Sequence, residues 1–497
     1  MAGIGFELKK LFQKKGVLNT AKAYGYATVI CAGPMLLGIL LLLGIMALCS
    51  VFEITVPTRE LLVSMITYTL LASVLVTSFL SMVVTRYVAD MLFEDHKQAV
   101  LPAFWGSTVI MMVVGSVLWA IFLIFSGATI PQGALMFMLF NELIIVWNAM
   151  SFLTAVKDYK SIFTSFITAV AVTVLLGVLL LYLAVPAVEG ILCAVSVGYG
   201  VMVVWHVILL HRYFPHTDLG AFTFLHWIDE FLPLALSGLF MNVGMFSHLV
   251  ILWFSEIGVQ VHGLFFGAPW HDVPALIAFL TALMTTVNFV VSVEVNFYPK
   301  YRNHYSLYND KGTIGDIKQS EREMLDTLKT EVFYTALKQL LFTAVCIALG
   351  GYLLDMLPLG FNEVMRGYFR TLCVAYGLYA IGNMLMLILM YFTDYKGACM
   401  VSAIFAGGTI LLTLISMLFP AVYYGMGFLL ASMVFVVVTA FRLDYFTKRL
   451  PYYILAAQPL VAEDRSGLFT RMGVFLENHL ENHIHNGLER STSDVEE

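Results

Sequence analysis

Two amides, a carboxyl and an indole lie close together inside one long apolar run, at Asn141, Glu142, Trp147 and Asn148. An ionised carboxylate deep in a membrane helix costs about 2.5–3.5 kcal/mol, so Glu142 needs water, a partner or a proton. Asn141 and Asn148 share one face of a helix, and Trp147 lies beside the second amide. Amides and an aromatic ring are the groups that bind a neutral carbohydrate, through hydrogen bonds to hydroxyls and through stacking.

Three further amides lie in other apolar runs, at Asn242, Asn288 and Asn383. With the four residues above, they could line a polar passage through a helix bundle. Alternatively, each could form an interhelical hydrogen bond, an interaction of modest strength in membranes. The sequence leaves both interpretations open.

The polar segments carry none of the features that we expect of an enzyme. They contain no Asp-x-Asp motif and no glycine-rich phosphate loop. His262, His271 and Asp272 lie in the longest outer segment without the spacing of metal ligands. The six cysteines all lie in apolar runs and form no close pair, which indicates packing. We therefore predict no catalytic residue, no metal and no cofactor.

The composition is that of a protein that crosses a membrane many times. Of the 497 residues, 60% are apolar and 12% are charged, against about 25% charged in soluble domains. The net charge of −6 gives no sign of nucleic-acid binding. A spanning helix needs about 20 apolar residues, and the first run is too long for a cleaved signal peptide. The twelve predicted spans are 26–50, 61–88, 101–126, 134–156, 161–184, 189–211, 230–254, 274–298, 332–355, 368–392, 397–420 and 423–441.

Basic residues orient these spans. All but three of the 27 Lys and Arg residues lie in the first arm, in alternate connections or in the tail, the exceptions being Arg59, Arg366 and Arg370. This bias predicts that both termini are cytoplasmic. Residues 1–22 predict an amphipathic helix on anionic lipid. Gly33 and Pro34 predict a kink, and hence a candidate hinge, in span 1.

A short motif recurs at matching places. "KDYKS", 157–161, joins spans 4 and 5, whereas "TDYKG", 393–397, joins spans 10 and 11. A weaker pair, "TRY" at 85–87 and "PKY" at 299–301, follows spans 2 and 8. Chance recurrence is the alternative, but the placement favours a parallel repeat of two six-helix halves.

The predicted fold class is therefore an all-α integral membrane protein, with twelve transmembrane helices forming two parallel six-helix lobes around a central cleft. The predicted domains are the amphipathic segment 1–22, a first lobe 23–211, a linker 212–229, a second lobe 230–441 with a cytoplasmic insertion 299–331, and a tail 442–497.

The insertion begins with "EVNFYPKYRNHYSLY", in which tyrosines alternate with charged residues. Such a stretch could receive a polymer or a soluble partner, or could be the aromatic belt of a membrane surface. The candidate residues are Glu294, Tyr298, Lys300, Tyr301, Arg302, Tyr305 and Tyr308. Ile317, Met324, Leu325 and Leu328 then predict an amphipathic helix.

Three stretches resemble the PelG family: "MAGIGFELKKLF", "AYGYATVICAGP" at 23–34, and "WHDVPALIAF…VEVNFYPKYRNHY" at 270–305. That family is the inner-membrane transport subunit of the bacterial Pel exopolysaccharide system. The resemblance implies the multidrug/oligosaccharidyl-lipid/polysaccharide exporter fold, a bacterial inner-membrane location and a galactosamine-type polymer as cargo. It also implies a cytosolic glycosyltransferase and a cyclic di-GMP-responsive membrane subunit as partners. Ala32 departs from the serine expected before Gly33-Pro34.

The function that follows is translocation of a nascent exopolysaccharide by a synthase-linked complex. One alternative is an ion-coupled drug antiporter, although drug antiporters of this superfamily commonly carry a carboxylate in the first span, where this chain has none. Another is a non-transporting scaffold for the synthase.

Overall fold

The computed structural model describes residues 38–156, 158–215, 217, 220–309, 312–356, 361–455 and 467–479. Within these residues, eleven helices are long and apolar enough to cross a membrane. They correspond to predicted spans 2 to 12 and keep those numbers below. Of span 1, Gly38–Val51 forms a shorter apolar helix. The predicted segment 1–22 and the candidate hinge at Gly33 and Pro34 lie outside the described residues.

Spans 2 to 12 are Val56–Phe93, Val100–Phe125, Ile130–Val156, Tyr159–Tyr182, Ala187–Tyr213, Leu232–Leu252, Pro269–Tyr308, Ile314–Met356, Glu363–Tyr391, Tyr395–Ser416 and Met426–Thr447. Short 3-10 turns, Lys97–Ala99 and Ala421–Tyr423, precede spans 3 and 12. A linker helix, Leu225–Glu230, precedes span 7, and Leu450–Leu455 follows span 12. The strands β1, Val259–His262, and β2, Phe265–Gly267, form an antiparallel hairpin between spans 7 and 8.

The two Asp-Tyr-Lys segments have the same local structure. Asp158 and Asp394 are the N-caps of spans 5 and 11, with φ/ψ of −85°/61° and −79°/64°. Each side chain accepts a hydrogen bond from the backbone N–H three residues later, at Ser161 (3.1 Å) and Gly397 (3.0 Å). An aspartate in this position satisfies an N–H group that the first helical turn leaves without a partner. The repeated motif is therefore a helix-starting turn.

The pattern of neighbouring helices also recurs. Span 2 packs on span 4, span 3 on span 4, span 4 on span 6, and span 5 on span 6. The same contacts appear six spans later, between spans 8 and 10, 9 and 10, 10 and 12, and 11 and 12. Buried apolar side chains form two clusters, one mainly from spans 1 to 6 and the other mainly from spans 7 to 12. This recurrence favours an internal repeat.

Span 2 and span 7 join the two clusters. They pack along each other, and a Cβ on Gly238 of span 7 would lie 2.5 Å from the Ser78 carbonyl oxygen of span 2. A side chain at this position would separate the helices, so glycine permits the close approach that stabilises helix contacts in membranes.

The β1–β2 hairpin connects the second cluster to the first at the predicted outer end. The Leu264 N–H donates to the Ser126 carbonyl (2.9 Å), and the Phe266 N–H donates to the Tyr68 hydroxyl (3.0 Å). Gly263 has φ of 54°, and a Cβ there would lie 2.0 Å from the Ser126 oxygen. The turn therefore needs glycine both for its backbone angle and for this contact.

Span 8 is irregular. It contains Pro274, a 3-10 segment, Phe279–Ala282, and a π-helical segment, Ser292–Phe297. Proline removes a backbone hydrogen bond, and π segments recur at functional positions of helices. A broken helix at membrane depth needs replacement partners for its backbone groups.

The predicted insertion 299–331 is a helical hairpin that continues spans 8 and 9 beyond the apolar runs. Tyr298–Asn309 packs against the first turns of Ile314–Met356. Met324 is fully buried and Leu328 is 5% exposed, which confirms the predicted amphipathic helix.

Part of the predicted tail 442–497 returns to the first cluster. Residues 468–479 form a helix, the tail helix. Asp229 of the linker helix accepts hydrogen bonds from the Thr470 N–H (2.7 Å) and hydroxyl (2.7 Å), and from the Phe469 N–H (3.3 Å). Phe469 also packs against Phe79 of span 2. The linker therefore caps a helix that lies more than 200 residues later in the chain.

Candidate functional site

The predicted pair of amides in span 4 faces span 3. The Ser116 hydroxyl donates to the Asn141 oxygen (2.7 Å), and the Asn148 amide donates to Ser107 and Thr108 (2.8 Å each). Asn148 is 1% exposed, whereas Asn141 is half-buried. The two amides therefore share a face as predicted, and Asn148 serves an interhelical contact.

Glu142 lies between spans 4 and 6, away from the second cluster. It is 8% exposed, and a Cβ on Gly200 of span 6 would lie 3.2 Å from its Oε1. Its Oε2 is buried without a hydrogen-bond partner among the described residues. The absence of a side chain at Gly200 leaves room for this carboxyl group.

Trp147 links span 4 to span 2. Its indole N–H donates to the Ser73 hydroxyl (3.0 Å), and its ring is half-buried. Since span 2 also packs on span 7, Trp147 lies one helix away from the junction between the two clusters.

Asn288 belongs to a polar seam between spans 8 and 9. It is 2% exposed, donates to the Thr335 hydroxyl and accepts from the Lys338 ammonium group (2.7 Å). Ser292 and Asn296, one and two helical turns after Asn288, bind the carboxylate of Glu331, which lies one turn before Thr335. These contacts tie the irregular helix to its neighbour.

Gln339 completes that seam. Its amide oxygen accepts from the Thr285 N–H (3.0 Å), and its amide N–H donates to the Thr281 carbonyl (2.8 Å). A regular helix would join these two backbone groups directly. The fully buried Gln339 side chain therefore inserts into the backbone ladder of span 8.

Asn242 and Asn383 lie on helices with few exposed residues. The Asn242 amide donates to the Gly238 carbonyl of its own span (3.0 Å), and both side chains are half-buried. No residue of 61–88, 233–250 or 371–391, in spans 2, 7 and 10, is exposed, whereas spans 3 and 12 carry many exposed apolar residues. Half-buried faces on enclosed helices are where an internal groove can run.

The candidate entry residues surround an aromatic cluster at the inner end of span 8. The Tyr301 hydroxyl donates to the Tyr391 carbonyl (3.2 Å), and its ring lies 4.4 Å from that of Tyr305. Tyr308 contacts the buried His304, whose Nδ1 is 2.9 Å from the Ser320 hydroxyl. This packing rigidifies the helical hairpin.

The remaining entry residues differ in their surroundings. Lys300 pairs with Glu323 across the hairpin (2.8 Å), Arg302 is exposed, and Tyr298 is half-buried. Glu294 lies within the π-helical segment, and its side chain is not among those described.

A group that sequence reasoning missed, the inner cluster, joins both halves at the predicted cytoplasmic end. Arg86 of span 2 pairs with Asp90 (2.9 Å), which also accepts from the Trp227 indole (3.1 Å). The Arg86 guanidinium lies 5.5 Å from the Phe231 ring and 3.5 Å from the Tyr395 hydroxyl. Tyr395 belongs to "TDYKG" and Arg86 to "TRY". These two recurring motifs were the only feature of the sequence analysis that marked residues of this cluster.

His262 and Asp272 bind different groups, and the Nδ1 of His271 lies 3.7 Å from a carboxylate oxygen of Asp272. The His262 ring binds the Gly127 carbonyl (3.0 Å), whereas Asp272 accepts from the Trp253 indole (2.9 Å). His271 is fully buried, with its ring 5.5 Å from that of His248. Within the described part of the chain, no three His, Cys, Asp or Glu residues cluster as metal ligands would.

Solved transporters share this fold. An outward-facing multidrug resistance MATE family transporter of the MOP superfamily gives a TM-score of 0.61 at 13% identity, covering 86% of this chain and 96% of that chain. An inward-facing structure gives 0.53 at 14% identity, covering 85% and 99%. A MOP superfamily transporter from Pyrococcus furiosus Vc1 gives 0.55 at 12% identity, covering 86% and 96%. At such identities the likeness concerns the fold.

Among curated proteins, none matches the chain. The sequence profile of the PelG family, described as an exopolysaccharide exporter (EPS-E), matches residues 1–455. Family and fold are those of membrane transporters and not of enzymes. The chain belongs to the PelG family of multi-pass membrane exporters.

Proposed function

We propose that the protein translocates a nascent exopolysaccharide, a Pel-like galactosamine-type polymer, across the bacterial inner membrane. The family match over residues 1–455 carries this proposal. The proposed architecture has two parallel six-helix lobes around a central cleft, and the recurring helix contacts support it. Both termini are cytoplasmic in this arrangement, because the inner connections then hold nearly all basic residues.

The proposed passage runs along the enclosed spans 2, 4, 7 and 10. Of the seven candidate residues, Trp147, Asn242 and Asn383 are half-buried and are assigned to this passage, whereas the half-buried Asn141 faces span 3. Asn148, Asn288 and Glu142 are at most 8% exposed and contribute to helix packing first. Amide groups and an indole suit a hydroxyl-rich sugar chain, which needs hydrogen bonds and a flat apolar surface.

The polymer enters at the inner end of the helical hairpin in this proposal. Exposed Arg302 and the pair of Lys300 with Glu323 lie beside the rigid tyrosines 298, 301, 305 and 308. A rigid aromatic and charged surface suits a cytosolic glycosyltransferase that delivers a growing chain. A cyclic di-GMP-responsive membrane subunit is a further proposed partner. The π-helical segment with Glu294 lies directly above this surface.

The central experiment locates the polymer in cells that lack only this protein. Polymer retained inside the cell supports translocation, whereas a change in drug sensitivity with normal polymer secretion favours the antiporter. Glu142→Gln should leave synthesis-driven export largely intact, because the residue lies in first-half packing. Loss of export in that variant would instead favour ion coupling.

A second experiment compares two pairs of amides. Asn242→Leu with Asn383→Leu removes half-buried amides, and we expect at least a tenfold fall in secreted polymer with normal protein levels. Asn148→Leu with Asn288→Leu removes buried packing amides, and we expect lower protein stability instead. Unchanged secretion in the first pair, combined with loss of secretion on deleting 299–331, would favour the scaffold.

A further inference from the structure

A mixed cationic and apolar cavity lies at the inner end of spans 11 and 12, outside the proposed passage. Its volume is about 600 Å³. Most of its lining residues lie on one face of span 12. They are Met400, Val438, Phe441, Arg442, Asp444, Tyr445, Lys448 and Arg449.

The lining changes character along the helix. Val438, Phe441 and Met400 form the apolar end, and Phe441 is 72% exposed. Arg442, Lys448 and Arg449 form the charged end. At 1.5 Å per residue, the distance from 438 to 449 is about 16 Å, enough for a headgroup and the first part of its acyl chains.

Two of the cations are held in place. Arg442 makes two hydrogen bonds to Asp394, at 2.7 and 2.9 Å, and that carboxylate is 6% exposed. The Arg449 guanidinium lies 4.2 Å from the Tyr445 ring centroid and donates to the Tyr445 hydroxyl. Among the ion pairs of the described residues, none includes Arg449. A positioned, always-charged guanidinium is suited to a phosphate group.

The opposing charge in the cavity is Asp444, which pairs with Lys448 at 2.6 Å. If Asp394, which lies behind Arg442, is included, the cavity has three cations and two carboxylates. Its net charge is therefore +1. Its apolar end is continuous with the exposed face of span 12, so an occupant needs both an anionic group and hydrocarbon.

The geometry points to a binding site for an anionic phospholipid, with the phosphate at Arg449 and Lys448 and the acyl chains against Phe441 and Val438. Its assignment to the cytoplasmic leaflet rests on the orientation under the proposed function. Basic pockets between membrane helices at this depth bind acidic headgroups. A lipid bound at this site would hold the start of span 11 and the end of span 12 at the membrane surface.

Native mass spectrometry of the purified full chain, with phosphatidylglycerol and phosphatidylcholine of equal acyl length, tests this site. We expect preferential retention of phosphatidylglycerol. Lys448→Gln with Arg449→Gln should lower that retention by about fivefold for each charge removed. Asp444→Asn should raise it, because the repulsive carboxylate is gone and Lys448 is released.

The matched control removes two charges at the corresponding turn of the first half, Lys160→Gln with Arg212→Gln. Both residues are exposed, and we expect wild-type retention. Equal loss in both double variants, equal retention of both lipids, or displacement by soluble glycerol phosphate would overturn the assignment. Gel filtration and Tm verify that each variant is folded. Since the readout needs no polymer, failed export with intact lipid retention would contradict only the proposed function.

Discussion

Asp158 and Asp394 occupy the same place in the repeated turn, but their second partners differ. Asp158 accepts from the Tyr213 hydroxyl (2.7 Å), whereas Asp394 binds the Arg442 guanidinium through both oxygens. The equivalent elements, the ends of spans 6 and 12, supply these partners. One half therefore closes its turn with a hydrogen bond from a hydroxyl to the carboxylate, and the other closes it with an ion pair whose carboxylate is buried.

This difference predicts unequal effects of the same substitution. Asp394→Asn leaves the guanidinium of Arg442, which is 22% exposed, without its carboxylate, and we expect a loss of about 1.5–3 kcal/mol in the free energy of unfolding. Asp158→Asn weakens the exposed contact with the Tyr213 hydroxyl and should cost about 1 kcal/mol. Denaturation of both variants in the same detergent measures the difference. Equal losses would show that the ion pair of Asp394 stabilises its turn no more than the hydrogen bond of Asp158 does.

Asp229 makes the tail helix sensitive to acid. Burial by itself raises the pKa of Asp229, but hydrogen bonds from Thr470, Phe469 and Gly467 outweigh it and lower the pKa below its ordinary value. The ionised carboxylate of Asp229 therefore stabilises the docked tail helix fully at any pH above its unfolded pKa of about 3.9. This stabilisation is lost as the pH falls through the lower pKa of the folded state.

A spin label at Leu468→Cys, an exposed position of the tail helix, reports this docking. We expect an immobile label from pH 8 to pH 5 and a mobile one in strong acid. With Asp229→Ala, the label should be mobile throughout this range. If the Asp229→Ala protein still shows an acid transition in label mobility, the transition is due to another titrating group.

At the scale of elements, span 8 depends on span 9 for its broken geometry. Gln339 bridges the Thr285 N–H and the Thr281 carbonyl, so Gln339→Leu leaves both buried groups without partners. We expect a loss of about 1–3 kcal/mol in unfolding free energy, measured by chemical denaturation.

Thr343→Val is the matched control, because it removes only an outer contact of the same amide (3.1 Å). This variant should lose about 1 kcal/mol or less. If Gln339→Leu is as stable as the wild type, the Thr285 N–H can bond the Thr281 carbonyl directly. The Gln339 side chain is then not the cause of the break in span 8.

The whole molecule is joined across its halves at both ends, by the inner cluster and by the β1–β2 hairpin. If translocation requires these junctions to separate, a disulfide at one of them should stop it. A 2.9 Å backbone hydrogen bond joins the Leu264 N–H to the Ser126 carbonyl, so this pair is a suitable place to test a disulfide. We expect oxidised Ser126→Cys/Leu264→Cys protein to lose polymer export.

Reductant should restore that export, and Ser126→Cys alone should export normally under oxidising conditions. Wild-type export by the fully cross-linked protein, measured on secreted polymer, would show that the outer junction stays closed during transport.

Hydropathy predicted spans 2 to 12 well, because membrane insertion is decided locally by runs of apolar residues. Even the narrow break between predicted spans 11 and 12 is present, since Ser416 ends one helix and Met426 begins the next. The Asp-Tyr-Lys turns were predictable for the same reason, as a cap contacts only residues three positions away.

Contacts between distant helices were not predictable in this way. Both faces of a membrane helix are apolar, so the pattern did not reveal that Asn148 packs on span 3. Arg86 and Tyr395 are 309 residues apart. The recurring motifs mark both residues, but a recurring motif does not say which partner each residue meets. The helical hairpin was predicted only in its second arm, because tyrosines dominate the first.

The capped tail helix also sets an order of events during synthesis on the ribosome. The N–H donors to Asp229 lie 240 and 241 residues after it, so they are synthesised only after span 12. A chain released early, at residue 455 for example, would contain span 12 yet leave that carboxylate without its N–H donors. Docking of the tail thus marks a polypeptide whose translation has run past span 12.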